Sequence, residues 1–337
     1  MTQEQTTTQT SVDLGKINFM KVRTPAMILS LVLIIGSLVG LWYKGLNLGV
    51  DFTGGTIIEL SYPNGAELNI VRDQLVAAGY EQAQVQHFGS SREVLIRIAP
   101  REDMASATLS NEVMATLRAA SDEQIELRRV EFVGPQVGEE LTSDGALAVL
   151  YALIGILIYV ALRFEFRFSL GAITALVHDV VITVGVFAWT QIQFDLTVLA
   201  ALLAIIGYSL NDTIVVFDRV RELFRTMREG SPAEVANKAL NDMLSRTIMT
   251  SLTTLMVLIA LFVLGGEIIH GFAFALMIGV VVGTYSSVYV ASNVAIMLGV
   301  SKQDLMPPVK EGADPKEAED ELQRAFLEAE AKRKLED

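Results

Sequence analysis

The chain contains no cysteine, which excludes disulfide bridges and thiolate metal sites together. Histidine is nearly as scarce: His87, His178 and His270 are scattered, so a histidine-rich metal centre is not expected. Bases are too few for a nucleic-acid partner, because 26 Lys and Arg face 39 Asp and Glu, for a net charge of −13. Charge is also missing locally. Pro25 to Tyr43 carries none, and about 19 apolar residues suffice to cross a bilayer as a helix. That run is too long for the apolar part of a signal peptide and the first 23 residues are polar, so no cleavable leader is expected.

What is present is segregated. The chain is 51% hydrophobic yet 19% charged, a mixture that suggests apolar spans separated by polar regions. Five further apolar runs follow the first, at about 145–162, 169–190, 196–217, 247–265 and 271–290. Six transmembrane helices are therefore expected, with a cytoplasmic N-terminal segment 1–23, a first span 24–43, an external domain 44–142, a five-helix bundle 143–298 and a charged cytoplasmic tail 299–337. Orientation follows from basic residues in the short connections. Lys16, Lys21 and Arg23 precede the first span, Arg163 and Arg167 join the second and third, and a basic loop 218–246 holds Arg219, Arg221, Arg225, Arg228, Lys238 and Arg246. The third-to-fourth and fifth-to-sixth connections hold no base. Both termini are thus expected in the cytoplasm, with 44–142 outside, in the periplasm of a bacterium.

The external segment reads as a folded unit. Strand patterns over 56–62, 83–88, 93–98 and 125–133 alternate with helical patterns over 67–79 and 102–120. The order β-α-β-β-α-β predicts a ferredoxin-like, split βαβ domain. It carries 15 acids and 8 bases, which reads first as a solvated acidic surface. Gly54-Gly55, just beyond the first span, suits a sharp or bulged strand entry.

Ionisable residues inside apolar runs are costly and mark function. Asp212 is the clearest, set in GYSLNDTIVVFDRVRE (207–222), with Tyr208, Ser209, Asn211 and Thr213 around it. It lies about 9 Å from Asp218 along a helix and must face the bundle rather than lipid. Arg246 opens the fifth span and is a candidate counter-charge, followed by a hydroxyl stripe of Thr250, Thr253 and Thr254. Asp179, beside His178, sits near the middle of the third span; it either joins ion transfer or satisfies polar groups of a neighbouring helix. Arginine at a helix end can also snorkel to water, and the hydroxyl residues can bond back to their own helix. Gly36/Gly40 and Gly279/Gly283 are spaced for close helix packing.

Several stretches together resemble the SecF family: GVDFTGGT (49–56), FVGPQVGEEL (132–141), HDV (178–180), the helix containing Asp212, and LSRTIMTSLTT (244–254). The resemblance implies half of a resistance-nodulation-division type bundle, a SecD partner supplying the other half, and association with the SecYEG channel and a translocating preprotein in the bacterial inner membrane. It implies late preprotein translocation driven by a proton or sodium gradient, with no other cofactor and no catalysis. In that reading Asp212, Arg246 and Asp179 couple the ion. The segment with Gly49, Asp51, Phe52, Gly54 and Gly55, with the first helix, ties the external domain to the bundle. Three alternatives stand beside it: half of a small-molecule exporter, an intramembrane aspartyl protease using Asp179 and Asp212, and a pure scaffold.

Overall fold

The structure is a computed structural model that describes residues 17–100, 106–120, 124–227 and 230–300. The tail 301–337, most of the N-terminal segment, the start expected for the helix at 102, and Arg228 lie outside the described residues. Among the described residues, six helices are long and apolar enough to cross a membrane. They are α1 (Arg23–Lys44), preceded by a 3-10 turn, α5 (Pro135–Arg163), α6 (Phe166–Thr190), α7 (Leu196–Thr226), α8 (Pro232–Leu264) and α9 (Glu267–Ser286). The last continues through a π-helical turn, Ser287–Ala291, into α10 (Ser292–Met297).

The helices overrun the apolar runs that reveal them, because lipid begins where charge stops but a helix begins where its N–H groups are capped. Pro135, after an extended Gly134, starts α5 well ahead of the apolar stretch. The expected basic loop 218–246 is corrected most. α7 runs on to Thr226, and α8 already starts at Pro232 behind a reciprocal Ser231–Glu234 capping box. Only a short connection remains between two helices that project beyond the hydrocarbon. With 31 residues, α7 is about 46 Å long against a core of about 30 Å.

Between α1 and α5 lie α2 (Val50–Thr53), β1 (Gly55–Ser61), α3 (Leu68–Ala77), β2 (Gln84–Phe88), β3 (Ser90–Ile98), α4 (Ser106–Ala119) and β4 (Glu126–Val133). The sheet order is β2-β3-β1-β4 with every neighbouring pair antiparallel, the topology of the expected split βαβ unit. One sheet face, with Ile58, Leu60, Val94 and Ile96, packs on Val71 and Leu75 of α3 and Leu109, Val113 and Leu117 of α4. Alternation sends Leu95 and Arg97 to the other face, and both are buried there too. Among the described residues the register shifts in this sheet fall at Glu59/Leu60 and His87/Phe88, away from the glycine pair.

In the bundle, α6 and α7 are central, about half buried along their apolar windows, whereas α1, α5 and α8 expose apolar side chains such as Ile28, Val32, Leu150, Val257 and Val263. An aromatic group of Phe164, Phe168, Phe217 and Phe224 fills the core at one end. Gly279 and Gly283 bring α9 against α7: a Cβ on Gly279 would overlap Ile205, and one on Gly283 would stand 3.0 Å from the Ser209 Cβ. Close packing at Gly40 is against Trp189 of α6; a Cβ at Gly36 would meet nothing within 4 Å, and the Gly36 carbonyl accepts from Trp189 Nε1 at 2.9 Å.

Candidate functional site

The two membrane acids have opposite surroundings. Asp179 of α6 is wholly buried, and its carboxylate is answered by three donors or donor pairs from three helices. Ser209 Oγ of α7 donates to Oδ2 at 2.5 Å, Ser286 Oγ of α9 donates to the same oxygen at 2.7 Å, and His178 Nδ1 lies 2.9 Å from Oδ1. His178 is buried, stacks on Tyr285 with ring centroids 6.1 Å apart, and leaves its Nε2 without a partner. No hydrogen bond joins Asp179 to Asp212 among the described residues, so the shared-proton geometry of an aspartyl protease is missing.

Asp212 of α7 is 4% exposed, and its Oδ2 has no hydrogen-bond partner. Arg246 of α8 makes no ion pair with it within 4.0 Å, although its charge acts on the carboxylate across the gap. Arg246 lies well inside α8 rather than at a helix start, and it is exposed. Asn211, one residue before the acid, is exposed as well, while Ser209 and Thr213 are buried and the Tyr208 hydroxyl is buried without a partner. The threonine stripe of α8 bonds to its own backbone: Thr250 to the Thr247 carbonyl, Thr253 to that of Met249 and Thr254 to that of Thr250. A carboxylate withdrawn from water with no donor is a costly charge. It becomes tolerable when a cation approaches or a proton neutralises it.

One organising element escaped the sequence reading. Four consecutive residues of α9 and the π turn each reach a different helix. Thr284 meets Ser251 of α8 at 2.7 Å, and Tyr285 donates to the Ala26 carbonyl of α1 at 2.6 Å while accepting from Ser30 at 3.1 Å. Ser286 binds Asp179, and Ser287 lies 2.9 Å from Thr213 of α7. The π-helical turn starts at Ser287; such turns concentrate at functional sites. The signal was visible as a run of four hydroxyl side chains, TYSS, inside an apolar helix.

The outer junction makes the sharp strand entry expected of Gly54-Gly55, and it does so behind a short helix. Val50–Thr53 is one helical turn, and Gly54 and Gly55 follow with φ of 69° and 128°. Asp51 Oδ2 accepts from the Leu196 N–H at the start of α7 (3.0 Å), Gly49 N donates to Phe194 O (2.7 Å), and Phe52 packs on Phe194 with ring centroids 5.9 Å apart. The segment is therefore joined to the start of α7 as well as to α1. A Cβ at Gly138 of α5 would lie 2.8 Å from Gly54 N, so α5 is held against it too. At Gly55 a Cβ would meet the Ile98 carbonyl at 2.6 Å. Gly55→Ala is expected to cost about 2 kcal/mol from the positive φ alone, seen as earlier thermal unfolding; an unchanged midpoint would mean the turn relaxes freely.

Comparison with known proteins follows the same outline. Residues 112–301 match the model described as "Protein export membrane protein SecD/SecF, C-terminal", and residues 41–62 match the "SecD/SecF GG Motif". The chain is 53% identical over 300 residues to the protein translocase subunit SecF of Vibrio alginolyticus, covering 88% of this chain and 95% of that one. It is 51% identical to the SecF of Pseudomonas aeruginosa, with 88% and 96% covered. Among solved structures it is similar to SecDF, a translocon-associated membrane protein from Thermus thermophilus, with a TM-score of 0.77 and 37% identity, covering 85% of this chain and 39% of that longer one.

Proposed function

From the premise that the chain belongs to the SecF family of protein translocase subunits, we propose that it is an ion-gradient-driven accessory subunit of the Sec translocase, working with a SecD-type half. It acts late, drawing on or releasing the preprotein that emerges from the SecYEG channel. It sits in the bacterial inner membrane with both termini cytoplasmic, as the Lys and Arg asymmetry of its connections suggests.

The contrast between the two buried acids carries this reading. Asp179 is saturated with donors and serves as a fixed tie, whereas Asp212 has an unpartnered buried oxygen and only a distant cation. Binding a proton or sodium ion at Asp212 changes its attraction to Arg246, and α7 and α8 repack. That is a local electrostatic event biasing a two-state element. The exposed Arg246 and Asn211, with apolar flanks along α1, α5 and α8, support a second half closing over this side of the bundle. The length relation to SecDF, of which this chain covers 39%, agrees with that arrangement.

The test is reconstitution of the chain with its SecD-type half and the channel in vesicles, followed by preprotein protection with the gradient intact or collapsed by an ionophore. Protection should exceed the channel-only level while the gradient stands and fall to it on collapse. Equal protection in both conditions refutes the ion-driven role.

A further inference from the structure

Arg97 lies in β3 of the external domain, paired with Ile57 on one side and Gln84 on the other. It is 9% exposed, an unusual state for a guanidinium outside the membrane. Nη1 donates to the Leu48 carbonyl at 3.0 Å and to Gln84 Oε1 at 3.4 Å, while the buried Nε has no partner. The two carboxylates whose charge reaches it are Asp51 and Asp195. Neither forms an ion pair with it within 4.0 Å, and both are held by the outer end of α7. Asp51 Oδ2 accepts from Leu196 N, and Asp195 Oδ1 accepts from Val198 N at 3.0 Å and Thr197 Oγ1 at 2.7 Å.

We propose that Arg97 is a positioning residue that keeps the external domain registered on the outer end of α7 by charge, so that movement of α7 is passed into the domain. The proposal rests on the ion-coupled reading above. α7 runs without interruption from the Asp195 cap past Asp212, a distance of about 25 Å along a rigid helix. A shift of that rod moves Asp195, its N-cap, and pulls on Asp51 of α2 through the Leu196 N–H, relative to a cation fixed in the sheet. A guanidinium with an unused N–H can exchange its hold between two acids and the Leu48 carbonyl. Burial pulls the Arg97 guanidinium below its ordinary range and the two acids oppose this. It remains charged, as arginine does in proteins. A purely structural peg bonded to the Leu48 carbonyl would need a donor but not a charge.

The experiment uses the full chain assembled with its SecD-type half and channel, comparing Arg97→Gln, Arg97→Lys, and the pair Asp51→Asn with Asp195→Asn. The readouts are gradient-dependent preprotein protection, recovery of the assembled complex, and the spin-label distance between Gln86→Cys on β2 and Ile268→Cys on α9, both exposed sites in a chain without other cysteines. Arg97→Gln should lower the gradient-dependent component by about tenfold and broaden the distance distribution, as loss of one partner of a buried charge set does. The double asparagine variant, which keeps an acceptor oxygen for each N–H, should behave in the same way. Arg97→Lys should stay within about twofold of the parent and keep one narrow distance. The proposal is overturned if Arg97→Gln matches the parent in both readouts, or if lysine fails as badly as glutamine. Should Arg97→Gln not assemble, the double asparagine variant decides: parental behaviour refutes the charge role. An Asp212→Asn control separates the two readings. If it keeps gradient-dependent protection, the ion-coupled reading falls; if it loses protection while Arg97→Gln keeps it, only the role of Arg97 falls.

Discussion

Asp212→Asn is expected to remove the gradient-dependent part of preprotein translocation while the protein still folds and assembles. The substitution keeps the volume of the side chain, and the buried Oδ2 forms no hydrogen bond that could be lost. What disappears is the ability to take up and release charge. One elementary charge moved through the membrane field is worth about 2.3 kcal/mol per 100 mV, which corresponds to about a fiftyfold bias between two states. Losing that bias should bring gradient-dependent protection to the level seen with an ionophore. Stability should be unchanged or slightly raised, because an unpaired buried carboxylate is replaced by a neutral amide. Gradient-dependent stimulation that survives in Asp212→Asn would dismiss this residue as the coupling group. Arg246→Gln should share the phenotype, since Arg246 is the cation whose field reaches the acid.

Asp179→Ala should fail differently, by loosening the bundle. Its carboxylate gathers Ser209 from α7, Ser286 from α9 and the neighbouring His178. Removing it leaves Ser209 and His178 buried without this acceptor, while Ser286 keeps the Gly283 carbonyl at 3.1 Å. A single hydrogen bond between membrane helices averages only about 0.6 kcal/mol. An acceptor that is ionised and shared is worth more, and each orphaned buried donor costs about 1–3 kcal/mol. A loss of about 3 kcal/mol in the stability of the purified complex is therefore expected, read as a lower thermal midpoint in detergent. Asp179→Asn, which keeps an acceptor oxygen, should cost about half of that and retain gradient response. Full stability with abolished gradient response in Asp179→Asn would instead make this acid an ion carrier.

The alternation of apolar runs with polar connections located all six spans, and period-two and period-3.6 patterns placed the strands and helices of the external domain to within a few residues. Those signals are local, so they survive without knowledge of the fold. Helix ends were less legible, because the Ser231–Glu234 capping box and the continuation of α7 past Asp218 lie where composition turns polar. Composition records where lipid stops and is silent on where backbone hydrogen bonding stops.

Ionisable groups at Asp179, Asp212 and Arg246 could likewise be picked out from the sequence, since charge within hydrocarbon needs a reason wherever it occurs. Their division of labour could not. It depends on Ser209 and Ser286, 30 and 107 residues from Asp179 along the chain, converging on one oxygen while nothing converges on Asp212. The same holds for the TYSS turn and for Arg97, whose partners belong to elements brought together only by folding. Residue type and spacing determined which groups are expensive in this protein; the packing of helices distant in sequence decided which of those charges are answered, because a hydrogen bond requires approach to about 3 Å and chain order does not specify approach.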